Sequence, residues 1–245
     1  MRINLQSTLI IIPCYNEEES LPKLLPELEK FVPRSNILVI DDGSTDKSRQ
    51  IIQEMGFHCL ALVQNCGIGG TVQTGIIYAL RNGFTGAIQL DGDGQHPPDQ
   101  ISKLIETAAS ESADLVIGSR FSGINSFRSS TARRFGITII HWTLRFLFQL
   151  HVNDCTSGFR YYGQRALKIF SEQYPLDYPE PISLGMAAEN SFRVSEVPVI
   201  MRERQGGTSS ISGFKALKYM VRVIGYLFLV RAGQLVMNQR KTKKF

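Results

Sequence analysis

Short β-branched runs alternate with helix-like segments through the first half of this chain, and this alternation most limits its possible folds. Near-continuous apolar strands joined by helices are typical of a mostly parallel sheet that is covered on both faces. We therefore predict an α/β fold. The expected strands are TLIIIP (8–13), NILVIDD (36–42), HCLALV (58–63), GAIQLD (86–91) and ADLVIGS (113–119). The expected helices lie between them at 18–31, 46–54, 70–82 and 98–110.

The second half of the chain is less regular. A helix is predicted from 133 to about 150, followed by a loop, NDCTSGFRYY (153–162). A proline-rich turn (174–181), a short helix and a strand at 196–201 come next. A last helix is predicted from about 213 to 234, with a basic tail, NQRKTKKF (238–245), after it.

Polar clusters follow three of the predicted strands at their carboxyl ends. In open α/β sheets, ligands bind at this edge, so we expect the clusters to form one site. The clusters are Tyr15-Asn16-Glu17, Asp41-Asp42-Gly43-Ser44 and Asp91-Gly92-Asp93.

The run LDGDGQHPPD (90–99) places two carboxylates at one strand end. Asp91 and Asp93 would repel each other unless a cation compensates their charge. Mg²⁺ and Mn²⁺ prefer oxygen ligands and share them with substrate phosphates, and Gln95 adds a neutral oxygen. We therefore predict a metal site at Asp91, Asp93 and Gln95; the alternative is a solvated Asp-Gly turn.

Two further strand ends suggest a nucleotide pocket. Asp41 and Asp42 could accept hydrogen bonds from a nucleobase and from ribose hydroxyls. The glycine-rich run NCGIGGTVQTG (65–75) lacks the spacing of a dinucleotide-binding motif and the lysine of a Walker motif. We interpret it as a tight turn whose backbone amides could lie near a phosphate.

The net charge of +5 favours an anionic partner, either phosphate groups or a lipid surface. Arginine is the usual ligand of phosphate oxygens, although a single arginine is more often a surface charge. The candidates are Arg120, Arg133, Arg134, Arg160, Arg202 and Arg204, and the sequence leaves open whether Arg133 or Arg134 faces the site.

The last helix has two interpretations. It could be an amphipathic helix that packs on the core, which is the commoner use of such a pattern. It could instead lie at a membrane interface, with the basic tail held at anionic lipid. Because Arg222 and Arg231 interrupt its apolar run, we predict that this helix does not span a membrane. At the start of the chain, a short apolar run leads directly into acidic residues, so we expect no signal peptide.

Seven sequence blocks occur in this order along the chain: IIIPCYNEEE, VIDDGSTD, NCGIGG, LDGDGQHPPD, VIGSRF, DCTSGFRYY and EVPVIMRERQGGTSSI. Together they resemble family 2 glycosyltransferases of the GT-A fold and, more narrowly, enzymes that transfer sugars to dolichyl or polyprenyl phosphate. The resemblance covers about residues 7–212. It implies a mostly parallel, Rossmann-like sheet flanked by helices, a nucleotide-sugar donor, Mg²⁺ or Mn²⁺, and inversion at the anomeric carbon.

The resemblance also implies roles for individual residues. Asp91, Asp93 and Gln95 would hold the metal against the diphosphate. Asp154 would orient groups at the reacting phosphates, with general-base action as the alternative. The donor pocket would contain Pro13, Tyr15, Glu17, Asp41, Asp42 and Asp91, and the reacting phosphates would be surrounded by Arg120, Arg133 and Arg204.

The implied function is transfer of a hexose, from a UDP-sugar in preference to a GDP-sugar, to undecaprenyl or dolichyl phosphate for cell-surface polysaccharide or glycan synthesis. We expect a catalytic domain at 1–212 and an amphipathic helix with a basic tail at 213–245. The enzyme would work at the cytoplasmic face of the membrane, on an anionic surface or with a separate integral membrane partner. The alternatives are a family 2 enzyme that extends a saccharide and a non-catalytic nucleotide-binding scaffold. No nucleic-acid partner is expected, and homo-oligomer formation is left open.

Overall fold

The structure, a computed structural model, describes residues 3–121, 131–202 and 214–242, without the side chains of 131–135, 214–217 and 234–242. Within these ranges, seven strands form one sheet: β1 (Thr8–Cys14), β2 (Ile37–Asp41), β3 (His58–Ala61), β4 (Gly86–Gln89), β5 (Leu115–Ser119), β6 (Arg160–Gly163) and β7 (Val194–Pro198). The α-helices described are α1 (Leu21–Leu28), α2 (Ser48–Glu54), α3 (Gly67–Arg81), α4 (Ile101–Glu111), α5 (Thr131–Phe148), α6 (Gln164–Glu172), α7 (Pro179–Glu189) and α8 (Phe214–Thr242).

The strand order is β3-β2-β1-β4-β6-β5-β7. Neighbouring strands are parallel except at β6, which runs antiparallel to β4 and β5. The carboxyl ends of β1, β2, β4 and β5 and the amino end of β6 therefore meet at one edge of the sheet. The predicted α/β architecture with a mostly parallel sheet is confirmed.

Alternate residues of the central strands supply two separate cores, because successive side chains of a strand point to opposite faces. Ile10 and Ile12 pack with α1, α2 and α4, whereas Leu9 and Ile11 pack with α3, α5, α6, α7 and α8. Every residue of β1 and β2 is buried, which explains why both read as near-continuous apolar runs.

The second half differs from the sequence prediction at β6, α6, β7 and the end of α8. The predicted loop at 153–162 runs into the strand β6, and α6 follows it directly, although no helix was expected there. The charged first residue of β6, Arg160, interrupts the apolar pattern by which the other strands are predicted. In addition, β7 covers Val194–Pro198 rather than 196–201, and α8 continues to Thr242, into the predicted tail.

The last helix packs on the core through one side. Val223 and Leu227 of α8 are fully buried in the same cluster as Ile140 and Leu144 of α5. No helix in the described part of the chain combines the length and the apolar character needed to cross a bilayer.

The contact between α3 and β1 depends on a glycine. A methyl group on Gly75 would lie 2.5 Å from Cγ2 of the buried Ile11. We expect Gly75→Ala to lower the free energy of unfolding by about 1–3 kcal/mol, as overpacked cores do. Urea denaturation would measure the change.

Gly225→Ala is the matched control, because nothing lies within 4 Å of the added methyl on the exposed side of α8. Alanine there should raise the free energy of unfolding by about 0.5–1 kcal/mol through helix propensity. Changes of the same sign in the two variants would contradict the packing argument.

Candidate active site

A cavity of about 350 Å³ opens at the edge where the strand ends meet. It contains five of the six residues predicted for the donor pocket and two of the three predicted metal ligands. Its lining consists of Pro13, Cys14, Tyr15, Glu17, Asp42, Ile68, Thr71, Asp91, Gly92, Asp93 and Glu180. Among the described residues, this lining therefore holds five carboxylates and no basic side chain.

Asp42 fixes the turn at the start of α3. Its Oδ1 accepts a hydrogen bond from the amide of Cys66 at 2.7 Å, and its Oδ2 accepts one from Gly67 at 2.9 Å. These two amides are bound to a carboxylate, so a phosphate would have to meet other amides of the run 65–75, and its predicted contact with phosphate stays a prediction. Asp41 is buried outside the cavity lining, where its Oδ1 accepts a hydrogen bond from the amide of Ser44 at 3.0 Å.

Only two of the three predicted metal ligands line the cavity. Asp91 and Asp93 both line the cavity, and Oδ1 of Asp93 accepts a hydrogen bond from the amide of Gln95 at 3.0 Å. Gln95 itself is not part of the lining. In the described part of the chain, no three His, Cys, Asp or Glu side chains converge as a complete metal site. Two carboxylates nevertheless fit a hard divalent cation that shares its remaining coordination with substrate phosphates. The one thiol of the lining, Cys14, does not compete as a ligand, because burial raises its pKa to about 12.

Asp154 and Arg120 form a buried ion pair. Nε and Nη2 of Arg120 each donate to one oxygen of Asp154 at 2.7 Å, and the amide of Arg120 donates to the same carboxylate at 3.0 Å. Burial acts to raise the pKa of Asp154, but the hydrogen bonds and charge of Arg120 hold it below its usual value. A carboxylate bound in this way orients its partner and is a poor general base. Neither residue lines the cavity.

Glu196 of β7 holds the segment that carries Asp154. One carboxylate oxygen accepts the amide of Asp154 at 2.8 Å, and the other accepts the amide of Asn153 at 2.7 Å. From the sequence alone, this glutamate is predicted only to lie in a strand. The signal in the sequence was an acidic residue inside an otherwise apolar run.

Sequence reasoning also missed Glu180. This residue follows Pro179 at the start of α7, and its side chain lines the cavity. Burial raises the pKa of Glu180 above its usual value; the charge of Arg160 opposes the shift, and the charge of Asp91 adds to it. Arg160 also holds the start of α7, since its Nη1 donates to the carbonyl oxygen of Glu180 at 2.8 Å.

Four other predicted arginines do not add to the described site. Arg202 forms a two-bond ion pair with Glu27, at 2.7 and 2.8 Å. The side chains of Arg133 and Arg134 and the whole of Arg204 lie outside the described residues, so their predicted contacts with phosphate stay predictions.

Comparisons with known proteins agree with this architecture. Residues 9–170 match glycosyl transferase family 2. The chain is 33% identical to polyprenol monophosphomannose synthase of Mycolicibacterium smegmatis, over 89% of the chain and 86% of that protein. It is 34% identical to undecaprenyl-phosphate mannosyltransferase of Micrococcus luteus, over 84% of the chain and 87% of that protein. It is 31% identical to UDP-N-acetylglucosamine–dolichyl-phosphate N-acetylglucosaminyltransferase of Methanococcus voltae, over 84% of the chain and 91% of that protein.

Solved structures of two other proteins have the same fold. Glucosyl-3-phosphoglycerate synthase from Mycobacterium tuberculosis, with Mn²⁺, UDP and glucosyl-3-phosphoglycerate, gives a TM-score of 0.66 at 16% identity, over 92% of this chain and 80% of that one. TarS of S. aureus with UDP-GlcNAc gives a TM-score of 0.60 at 18% identity, over 91% of this chain and 66% of that one. The fold is that of the GT-A glycosyltransferases. This chain belongs to glycosyl transferase family 2.

The buried ion pair makes a stability prediction. Asp154→Asn would leave Arg120 buried and unpaired, so we expect the free energy of unfolding at pH 7 to fall by about 3–5 kcal/mol. Because the pKa of Asp154 is lowered in the folded state, the pair stabilises the fold above the unfolded pKa of about 3.9. That contribution is lost as the pH falls through the lowered pKa.

Urea denaturation between pH 7 and pH 3 would therefore show a shallower loss of stability in Asp154→Asn than in the parent protein. Glu29→Gln is the control, because Glu29 pairs with Arg34 through two exposed side chains. It should change the free energy of unfolding much less. Parallel pH profiles for Asp154→Asn and the parent would contradict the assignment.

Proposed function

We propose that this chain transfers a hexose from a nucleotide sugar, with UDP favoured over GDP, to a polyprenyl phosphate with inversion at the anomeric carbon. The observation that carries the proposal is the acidic lining of the cavity. An anionic nucleoside diphosphate would be repelled by these carboxylates unless a divalent cation lay between them. Three relatives of 31–34% identity, named for transfer to polyprenol, undecaprenyl or dolichyl phosphate, support the choice of acceptor.

The donor would bind along the cavity. Pro13, Tyr15 and Asp42 would contact the nucleoside, while Asp91 and Asp93, with Gln95 close by, would hold Mg²⁺ or Mn²⁺. When bound, the cation would supply electrostatic stabilisation for the departing nucleoside diphosphate. Within this chain, the buried cations of Arg120 and Arg160 lie close enough to influence the pKa of Glu180 in the cavity lining. They would offset repulsion between the two anionic substrates.

A lipid phosphate acceptor does not need a strong base. A phosphate monoester loses its second proton at a pKa of about 6, so it is already mostly dianionic at neutral pH. This agrees with Asp154, whose oxygens are both bound by Arg120. Asp154 would therefore act by orienting Arg120.

A second candidate is transfer to a saccharide hydroxyl, which needs a general base. The observation that favours it is Glu180, a carboxyl group in the cavity lining with a raised pKa. Glu180→Gln separates the two candidates, because it should spare transfer to a lipid phosphate and abolish transfer to a saccharide.

The test of the main proposal is transfer of radiolabelled sugar from a panel of UDP- and GDP-sugars to undecaprenyl phosphate, with Mn²⁺, Mg²⁺ or chelator. We expect a chloroform-soluble product that requires the cation. Asp93→Asn should lower the rate by about a hundredfold or more, since even residues behind a metal ligand contribute about 10–100-fold.

Asp99→Asn is the matched control, because Asp99 is exposed in the same sequence run. It should keep the parent rate. Metal-dependent hydrolysis of the donor without a lipid product would shift the acceptor toward a saccharide. Failure to bind any donor would favour a non-catalytic scaffold.

We also propose that α5 and α8 place the enzyme on the cytoplasmic, inner face of an anionic membrane. Although these helices pack against each other, each leaves large apolar side chains in solvent. Trp142 and Phe146 of α5 are 59% and 84% exposed, and Val221, Phe228 and Leu229 of α8 are 64%, 53% and 66% exposed.

Basic residues accompany these apolar side chains. Lys218 and Arg222 are exposed on α8, and the segment 239–245 adds further lysines and an arginine. Apolar side chains that enter the headgroup region, together with lysine and arginine near anionic lipid, are the usual elements of interfacial binding. The exposed side of α5 and α8, which we call the docking surface, would therefore match an anionic bilayer.

The membrane proposal has an intrinsic reporter, because Trp142 is the single tryptophan of the chain. We expect vesicles with anionic lipid to shift its fluorescence to the blue, with binding that weakens as salt increases. Phe146→Ser should weaken binding about tenfold or more, because it removes an aromatic ring that would be buried in the bilayer.

Phe31→Ser is the control, because Phe31 is 44% exposed outside these two helices. Equal losses in Phe146→Ser and Phe31→Ser would argue against the docking surface. Binding to native membranes but not to pure lipid would point to a separate integral membrane partner.

A further inference from the structure

Asp91 is held from three directions. Its amide donates a hydrogen bond to Nδ1 of His96 at 3.0 Å, and its Oδ2 lies 3.7 Å from Nε2 of the same ring. Its Oδ1 accepts a hydrogen bond from Nε2 of Gln89 at 3.3 Å. On the remaining side, a methyl group on Gly158 would lie 3.0 Å from both carboxylate oxygens, so only glycine leaves this space open.

The hydrogen bond from the Asp91 amide determines the tautomer of His96. A backbone amide can only donate, so Nδ1 must accept and carries no proton. The proton of the neutral ring is then on Nε2, which faces the Asp91 carboxylate. The ring is 4% exposed and stacks on Phe159, with centroids 5.0 Å apart, so packing holds it in this orientation.

Gln89 is oriented in a similar way. The hydroxyl of Tyr162 donates to its Oε1 at 3.0 Å and lies 3.1 Å from the hydroxyl of Tyr174. This buried network turns the NH₂ group of Gln89 toward Asp91. One oxygen of the Asp91 carboxylate therefore accepts a hydrogen bond from an N–H group of defined orientation, and the other lies 3.7 Å from Nε2 of His96, beyond hydrogen-bond distance.

We propose that His96 is a positioning residue, which fixes the backbone and the carboxylate of Asp91 in the direction of the cavity. Groups behind a metal ligand contribute to affinity by orienting the ligand before the ion arrives. The link to nucleotide binding rests on the proposed function, whereas the tautomer of His96 does not.

Two measurements test the proposal. The first is nitrogen NMR of the ¹⁵N-labelled full chain, which distinguishes the two tautomers of each histidine. We expect His96 to carry its proton on Nε2. The second is the affinity for UDP in the presence of Mn²⁺, measured by calorimetry for the parent, His96→Phe and His96→Asn. Thermal unfolding would check that each variant is folded.

The variants separate positioning from packing. His96→Phe keeps a ring against Phe159 but loses both polar contacts, so its affinity for UDP should fall about 10–100-fold. His96→Asn places an acceptor oxygen where Nδ1 lies and should recover most of the loss. Gly158→Ala keeps His96 but crowds Asp91, and should lower the affinity in the same way.

His58→Phe is the matched control, because His58 is exposed on β3. It should bind UDP as the parent does. A protonated Nδ1 on His96, or parent affinity in a folded His96→Phe variant, would overturn the positioning role. If the parent itself binds no UDP with Mn²⁺, the proposed function fails, and the tautomer still decides whether His96 holds the Asp91 amide.

Discussion

Burial of aspartate carboxylates at one edge of the sheet is the constraint on which this structure depends. Asp41, Asp42, Asp93 and Asp154 are each no more than 4% exposed. A buried carboxylate is tolerated only when donors replace its lost water. Backbone amides at the start of two turns meet this need for Asp41 and Asp42, and Arg120 meets it for Asp154. The turns around the cavity therefore take their shape from the carboxylates that they satisfy.

The parts of this arrangement that local patterns specify could be predicted. β1 and β2 were recognisable because strands covered on both faces are apolar throughout. Asp91 and Asp93 could be placed at the edge because they follow such a strand. The partners of Asp42 could not be predicted, since Cys66 and Gly67 approach it across a gap of more than twenty residues in the chain.

The second half shows the same limit more strongly. β6 contains Arg160, a residue that argues against a buried strand when the sequence is read alone. In the folded chain, its guanidinium donates to carbonyl oxygens of Ser157, Cys155 and Glu180. The last of these comes from α7, so the strand is compatible with burial only after a later helix has packed against it. Glu180 could not be assigned to the cavity for the same reason.

The helix α7 joins the acidic cavity to the surface formed by α5 and α8. Its first turn carries Glu180 in the cavity lining, and Gly185 further along packs against Leu227 of α8 and Phe148 of α5. Eleven residues of helix span about 16 Å, which is close to half the thickness of a bilayer core. A lipid phosphate at a membrane that contacts α5 and α8 would need to move only a short distance to meet a sugar in the cavity. If α5 and α8 contact the membrane as proposed, the packing that buries Val223 and Leu227 would also set how far the lipid phosphate lies from the cavity.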